Sequence, residues 1–288
     1  MFGEVPGRVD PRAADAVGRR WARAKALLSV TWLCCAAELV VSACALVWTV
    51  VAGPDLPLLG SPKRGDLVGL AFVALLVALP MPLASSMGRR AADGIDWRLK
   101  PDGWFLYGSV VGAAQAFGLA LSLTYSALPL WARTAVGVIG FAVPAGAAFL
   151  ARRALLAEPL REIGGSEFVL VKGIRSPQGG GEDSVKITGD ALRLSVRTAA
   201  GRPAQQASTK DIALAEITAI GVRPSKPEDG SWAVLADGRG SSPPQGDVVE
   251  IRTATDTQLL PADPELAELI RARAALHGRR PAGIEEQR

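Results

Sequence analysis

Histidine and cysteine are nearly absent from this chain of 288 residues, which has one histidine, His277, and three cysteines, Cys34, Cys35 and Cys44. The cysteines crowd into one apolar run, where a thiol behaves as a small hydrophobe. Neither a disulfide framework nor a Cys/His zinc site can be assembled from them. His277 falls near the end of a predicted surface helix with no second ligand type beside it, which suits a solvated imidazole at a helix C-terminus.

A catalytic constellation is lacking as well. Asp183, Ser184, Asp190, Asp211, Glu216, Asp237 and Asp247 all fall in turns or at exposed strand positions, where such residues are ordinary solubilising groups. None has a histidine or lysine at a motif spacing, so the test of nucleophile, base and orienter is not met. The glycine runs GGGED and DGRGSS lack the Lys-Ser/Thr pair and the strand-to-helix setting of a phosphate loop. Catalytic, cofactor-binding and metal residues are therefore expected to be none.

The chain also lacks a charge bias in its second half. Its formal net charge is +4, but residues 1–150 carry 13 Lys/Arg against 9 Asp/Glu and residues 151–288 carry 19 against 19. The excess thus lies beside apolar segments, where cations orient a chain in a bilayer, and no nucleic-acid partner is expected.

What is abundant is apolar sequence, 49% of the residues, nearly all of its long runs lying before Leu150. A membrane-spanning helix needs roughly 20 mostly apolar residues, and four segments satisfy that: 26–53, 67–87, 104–125 and 134–150. Trp32, Trp48, Trp104, Tyr107, Tyr125 and Trp131 lie towards segment ends, as amphipathic rings do at headgroups. The first run is too long for a cleaved signal peptide and has no clean small-residue cleavage site.

Cations alternate along the connections. Arg8, Arg12, Arg19, Arg20, Arg23 and Lys25 precede the first segment, Lys63 and Arg64 follow it, and Arg89, Arg90, Arg98 and Lys100 follow the second. Arg133 alone follows the third, and Arg152, Arg153 and Arg161 follow the last. By the positive-inside rule both termini are expected in the cytoplasm. The stretch from Arg12 to Lys25, with Trp21, reads as a basic amphipathic lead-in lying on the inner membrane surface.

Within the expected bundle, Gly108 and Gly112 form a GxxxG pair, and Gly137, Gly140 and Gly146 give the fourth segment a small-residue surface for close helix packing. Glu38 and Gln115 sit near the middle of the first and third segments. A carboxylate at that depth is costly by at least about 2.5 kcal/mol, so it must face the bundle, and the two side chains are a candidate intramembrane polar pair. A sharper alternative makes Glu38 a proton or cation site in a small channel or transporter, encouraged by Pro80, Pro82 and Pro144 within the segments.

Beyond Arg153 the pattern changes. Pro159, Gly164 and Gly165 mark a joint. Then Leu192, Leu194 and Val196 alternate with Arg193, Ser195 and Arg197, and Val249 and Ile251 with Glu250 and Arg252, as in half-buried antiparallel strands. Near the end Asp263 and Pro264 open a helix whose apolar face is Leu266, Leu269, Ile270 and Ala274, with Gly278 as its stop.

The runs ALRLSVR, STKDIALAEITAIGV, WAVLADG and VVEIRTATDTQLLPADPELAELIRARAAL resemble the bacterial pleckstrin-homology-like domains attached to membrane helices, often in actinobacterial proteins. The resemblance covers roughly residues 184–277 and departs from compact examples in the Pro/Gly-rich insert Ser241 to Gly246. It implies a binding or scaffold module in a bacterial plasma membrane, with no catalytic residue to carry over.

The expected fold is a membrane α-helical four-helix transmembrane bundle followed by a C-terminal α+β domain, an antiparallel β sheet or barrel closed by a C-terminal helix. The expected division is a basic N-terminal segment 1–25, a transmembrane domain 26–153, a linker 154–166, a β-rich domain 167–278 and a disordered tail 279–288. The expected role is non-enzymatic. The lipid bilayer is one partner, and a protein partner or self-association through the cytoplasmic domain is the other; no cofactor is expected.

Overall fold

The computed structural model describes residues 4–51, 96–123, 129–175, 182–196, 208–229, 246–261, 264–277 and 282–283. The chain divides into two compact units. One is helical, residues 20–155; the other is β-rich, residues 156–288 together with the N-terminal stretch 3–19.

The helical unit contains most of α1 (Ala14–Val51), α2 (Pro101–Leu123) and α3 (Leu130–Leu155). Asp96 caps a short 3-10 turn, Trp97–Leu99, by accepting from the Arg98 backbone N–H, and α2 begins at Pro101. Proline suits that first position because its missing N–H would have no helical partner there. Trp21, Ala24, Leu28 and Thr31 of α1 are buried in this unit, as are Trp104, Val111 and Gln115 of α2 and Ala145, Ala147, Ala148, Ala151 and Leu155 of α3. Small residues dominate the α3 face, so its backbone can lie close to its neighbours.

The expected four-helix transmembrane bundle is overturned here. Among the described residues one helix, α3, is long and apolar enough to cross a membrane. Residues 67–87, the second expected span, lie outside the described residues. The first expected span forms only the later part of α1, which begins at Ala14 and carries Arg19, Arg20, Arg23 and Lys25 within the helix. The third lies in α2, whose run is rich in glycine and alanine and is interrupted by Gln115.

Two aromatic expectations also change. Trp21 is not a ring lying on a lipid surface but is 2% exposed. Its indole packs at 6.1 Å from that of Trp104. Trp104 is fully buried and donates from Nε1 to the Trp97 carbonyl at 3.2 Å.

The β-rich unit begins after a short helix, α4 (Arg161–Gly164), with four antiparallel strands in sequential order: β1 (Leu170–Arg175), β2 (Glu182–Ile187), β3 (Ala191–Val196) and β4 (Ser208–Ala213). Leu192 pairs with Ile187 and Ile212, and Leu194 with Val185, so these side chains share the buried face. The outer face carries Val171, Lys186, Arg193 and Asp211 in one cross-strand row.

A 3-10 turn, Leu214–Glu216, leads into a second sheet of β5 (Ile217–Pro224), β6 (Asp247–Thr253), β7 (Thr257–Pro261) and β8 (Ala282–Gly283), in the order β7-β6-β5-β8. Its pairs are antiparallel except β5 with β8. β4 and β5 are consecutive but belong to different sheets, and the sheets are not closed into a barrel. That corrects the barrel form of the expectation. β8 also places an ordered pairing within the expected tail, residues 279–288.

The last helix, α5 (Pro264–Ala275), buries Leu266, Ala267, Leu269, Ile270 and Ala274, a helical-period stripe, while Glu268 stays exposed. Ile220, Val248, Val249, Ile251 and Leu260 are fully buried side chains of the second sheet. Each buried aliphatic side chain of this kind stabilises the fold by roughly 1.5–3 kcal/mol relative to exposure.

Candidate functional site

In the helical unit, the glycines of the GxxxG pair mark a backbone-to-backbone approach of α2 and α3. A Cβ built on Gly112 would lie 2.5 Å from the Phe141 carbonyl oxygen, and one on Gly108 would lie 2.8 Å from that of Pro144 and overlap the Ala148 methyl. Gly140 faces Leu119 of α2, whose Cδ1 would be 2.8 Å from an added Cβ. Gly137 is looser, its nearest neighbour being the Ala116 carbonyl at 4.0 Å. At the ends of these helices, Arg152 donates to Asp102 at 2.8 Å, and Phe105 meets Phe149 edge-on at 6.0 Å.

Gln115 lies on α2, 5% exposed. Of Glu38 only its place in α1 is described, so the proposed Glu38 to Gln115 pairing lies outside the described side chains. Gln115 makes no hydrogen bond among the described residues. It borders a cavity of about 260 Å³ with Cys34 and Ala37 of α1, Leu119 of α2 and, from α3, Val136, Ile139, Gly140, Val143 and Pro144. Thr31 donates to the Pro144 carbonyl at 3.4 Å.

In the β-rich unit the sequence-level catalytic candidates do not converge. Asp190 accepts from the Thr188 hydroxyl in the β2–β3 turn. Asp211 accepts two bonds from Arg193 across β3 and β4. Ser184 lies on β2, Glu216 in the 3-10 turn and Asp247 at the start of β6. Asp183 lies on the same β2 strand, while Asp237 lies outside the described residues. His277 is exposed, with Nε2 2.5 Å from the Gly189 carbonyl, and therefore donates from that nitrogen. Among the described residues no group of three His, Cys, Asp or Glu could hold a metal ion.

Two polar arrangements have no counterpart in the sequence pattern. Arg273 of α5 is fully buried and donates to three carbonyls: Gly164 at 2.9 Å, Phe168 at 2.6 Å and Thr188 at 2.6 Å. It ties the last helix to the segment before β1 and to the β2–β3 turn. Burial pushes its guanidinium down to about 9, so it remains a cation at neutral pH, with the Glu167 carboxylate opposing the shift. The planar fork of arginine can serve several acceptors at once, which the point charge of lysine does less well.

The second arrangement is an ion network on the second sheet. Glu250, 3% exposed, accepts from Arg223 and Arg252, and Arg223 also donates to Asp229 at 2.7 and 2.8 Å. The Arg223 hydrogen bond holds Asp229 down at about 2, against the cost of its own burial. Burial alone would raise the Glu250 carboxyl, but its bonds to Arg223 and Arg252 outweigh this and lower it. Alternation identified Glu250 and Arg252 as outward residues; only the folded turn at Lys226 to Asp229 shows that Glu250 is covered.

The N-terminal stretch forms part of this unit rather than a separate basic segment. Val9 bridges antiparallel to Ser166, the Asp10 N–H donates to the Gly165 carbonyl at 2.7 Å, and the Glu167 N–H donates to the Arg8 carbonyl at 3.1 Å. An added Cβ on Gly165 would meet the Ala13 methyl at 3.1 Å, so glycine lets the two segments approach. Two short non-periodic segments far apart in the chain give no sequence signal for such a bridge. No protein-family model matches the chain, and no curated protein matches it.

Proposed function

We propose that this protein is a membrane-anchored, non-enzymatic interaction protein, in which α3 crosses the bilayer and the β-rich unit is a pleckstrin-homology-like binding module on the cytoplasmic side. The observation that carries the reading is the surface of α3. Only 28% of its most apolar stretch is buried, and Trp131, Val138, Ile139, Phe141, Val143, Phe149 and Leu150 are exposed. A surface of that size facing water would be strongly unfavourable, whereas lipid is a suitable solvent for it.

The ends of α3 support the same reading. From Trp131 to Arg152 is about 31 Å at 1.5 Å per residue, close to the hydrocarbon thickness. An indole marks one boundary, while Arg152 and Arg153 mark the other, the side from which the chain continues into the β-rich unit. Cations on that side favour a cytoplasmic location.

For the module, support comes from the order of elements: a four-strand meander, three further antiparallel strands and a closing helix. The expected occupant of this module is a protein partner or a second copy. The near-neutral charge of residues 151–288 gives no strong pull towards an anionic lipid surface. The outer row Val171, Lys186, Arg193 and Asp211 puts an exposed apolar side chain on β1 at one end of a line of charges.

The test uses the full chain in membranes. Alkaline carbonate should leave it in the pellet, and protease should reach the β-rich unit only in inverted vesicles. A photoreactive residue at position 171 should then crosslink to a discrete protein band, which Arg193→Glu weakens. Extraction by carbonate would overturn the anchor, and an absence of any crosslink at 171 would overturn this face as the binding surface.

A further inference from the structure

The described cations of the helical unit collect at one end of it. Trp21 of α1 packs against Trp104 of α2 at 6.1 Å, and Arg152 of α3 donates to Asp102 of α2 at 2.8 Å. The start of α2 therefore lies level with the end of α3 and with the residues around Trp21. Arg20, Arg23 and Lys25 lie within four residues of Trp21, about 6 Å along a helix axis. Arg98 and Lys100 precede α2, and Arg152 and Arg153 fall in the last turn of α3. Against these seven cations stand two carboxylates among the described residues of that end, Asp96 and Asp102, each paired with an arginine. The opposite end lies about 28 Å away, along α2 from Trp104 to Leu123, and Arg133 is its one described cation.

An apolar ledge adjoins the cationic end. Phe105 of α2 and Phe149 of α3 meet edge-on at 6.0 Å, and both are exposed, as are Leu106 and Leu150. Phe149 and Arg153, four residues apart, share a face of α3, as Asp102 and Phe105, three apart, do on α2. Arg153 is exposed, and Arg152 uses one edge of its fork on Asp102, while a guanidinium carries five N–H donors in all. Cations and exposed rings thus lie within one helical turn of each other.

We propose that this end of the helical unit binds an anionic phospholipid, its phosphate on Arg152 and Arg153 and the first part of an acyl chain along Phe105 and Phe149. The site rests on the reading of α3 as a bilayer anchor, since a membrane presents headgroup and chain together. A soluble phosphate would use the cations and leave the rings in water, whereas a neutral lipid would use the rings and leave the charge excess unmatched. The planar fork of arginine fits phosphate oxygens in pairs. Trp97 and Tyr107, their rings 5.3 Å apart at the same end, suit headgroup depth. These residues belong to the helical unit, so the balanced charge of the β-rich unit does not weaken the attraction.

The experiment uses the purified full chain reconstituted in phosphatidylcholine vesicles, with chain-labelled nitroxide phosphatidylglycerol or, separately, nitroxide phosphatidylcholine as the probe. Electron spin resonance separates lipid held on the protein from the fluid pool. Phosphatidylglycerol should be held roughly two- to fivefold more strongly than phosphatidylcholine at low salt. High salt should reduce that ratio by screening the charges.

Arg152→Gln combined with Arg153→Gln should bring the ratio close to one. Arg153→Lys should keep most of it, and Arg133→Gln, at the far end, should leave it unchanged. A ratio near one in the parent chain would overturn the site, as would an unchanged ratio in the double variant or an equal loss in Arg133→Gln. Displacement of the labelled lipid by soluble glycerol phosphate at matched concentration would overturn a site built from headgroup and chain together. Carbonate treatment of the same vesicles separates the two readings. A chain that resists extraction but shows a ratio near one keeps its anchor and loses this site, whereas an extracted chain loses both.

Discussion

At the scale of single residues, the helical unit depends on what its glycines omit. Gly112→Val should force the α2 and α3 backbones apart, since even the first carbon would meet the Phe141 carbonyl. Overpacking of this kind costs typically about 1–3 kcal/mol. Gly146, with nothing within 4 Å of an added Cβ, is the control. Gly146→Ala should be neutral or stabilising by up to about 1 kcal/mol, because glycine is a poor helix former. Thermal unfolding of the two variants in detergent, followed by circular dichroism, should move in opposite directions or differ by several degrees. Arg273 makes a second residue-level case. Arg273→Met fills similar space but leaves three carbonyls without donors, so a loss of about 2–4 kcal/mol is expected in denaturant unfolding of the β-rich unit. Arg273→Lys should recover only part of it, because one ammonium cannot match the fork that reaches Gly164, Phe168 and Thr188.

At the scale of elements, period and composition had different reach. Alternation correctly separates buried Leu192 and Leu194 from exposed Arg193, because a strand with one covered face imposes a period of two. The stripe Leu266, Leu269, Ile270 and Ala274 is equally readable, because a helix packed on one side imposes its own period. Hydropathy was less discriminating in α1 and α2, where the apolar run is continuous with a basic first part in α1 and is broken by Gln115 in α2. Gln115 was legible as a misplaced polar group, but the cavity beside it was not, because a cavity depends on how three helices meet. The Val9 to Ser166 bridge was illegible for the same reason, being a long-range pairing with no pattern of its own. For α3 itself, Val138→Arg introduces a cation near the helix centre. On insertion scales this costs about 2.5–3.5 kcal/mol, so the fraction of chain retained after carbonate extraction should fall sharply. Trp131→Arg, at the helix end, should change it little, because a long cation can reach the headgroups there.

At the scale of the whole molecule, the two compact units rest on different physics, and acid should separate them. The helical unit is held by close apolar packing and by the Asp102 to Arg152 ion pair. The β-rich unit carries a covered network in which Asp229 and Glu250 must stay ionised to keep Arg223 paired. Asp229 titrates at about 2 when folded, against 3.8 ordinarily. A depressed carboxyl stabilises the fold fully above its unfolded value, and the contribution is lost as pH falls through the folded value. Stability of the β-rich unit should therefore be level from neutral pH to about 5, then decline by about 1–2 kcal/mol between about pH 4 and 2 from this group. Glu250, lowered as well, acts in the same direction. Asp229→Asn should flatten the acid limb while lowering stability at neutral pH, since Arg223 would lose its charge-assisted pair. Pulsed hydrogen exchange read by mass spectrometry after equilibration at each pH assigns the change to peptides. Those from residues 217–229 and 246–253 should lose protection on acidification before those from residues 101–123 and 130–155. Simultaneous loss in both sets would show that the network does not set the acid stability of its unit.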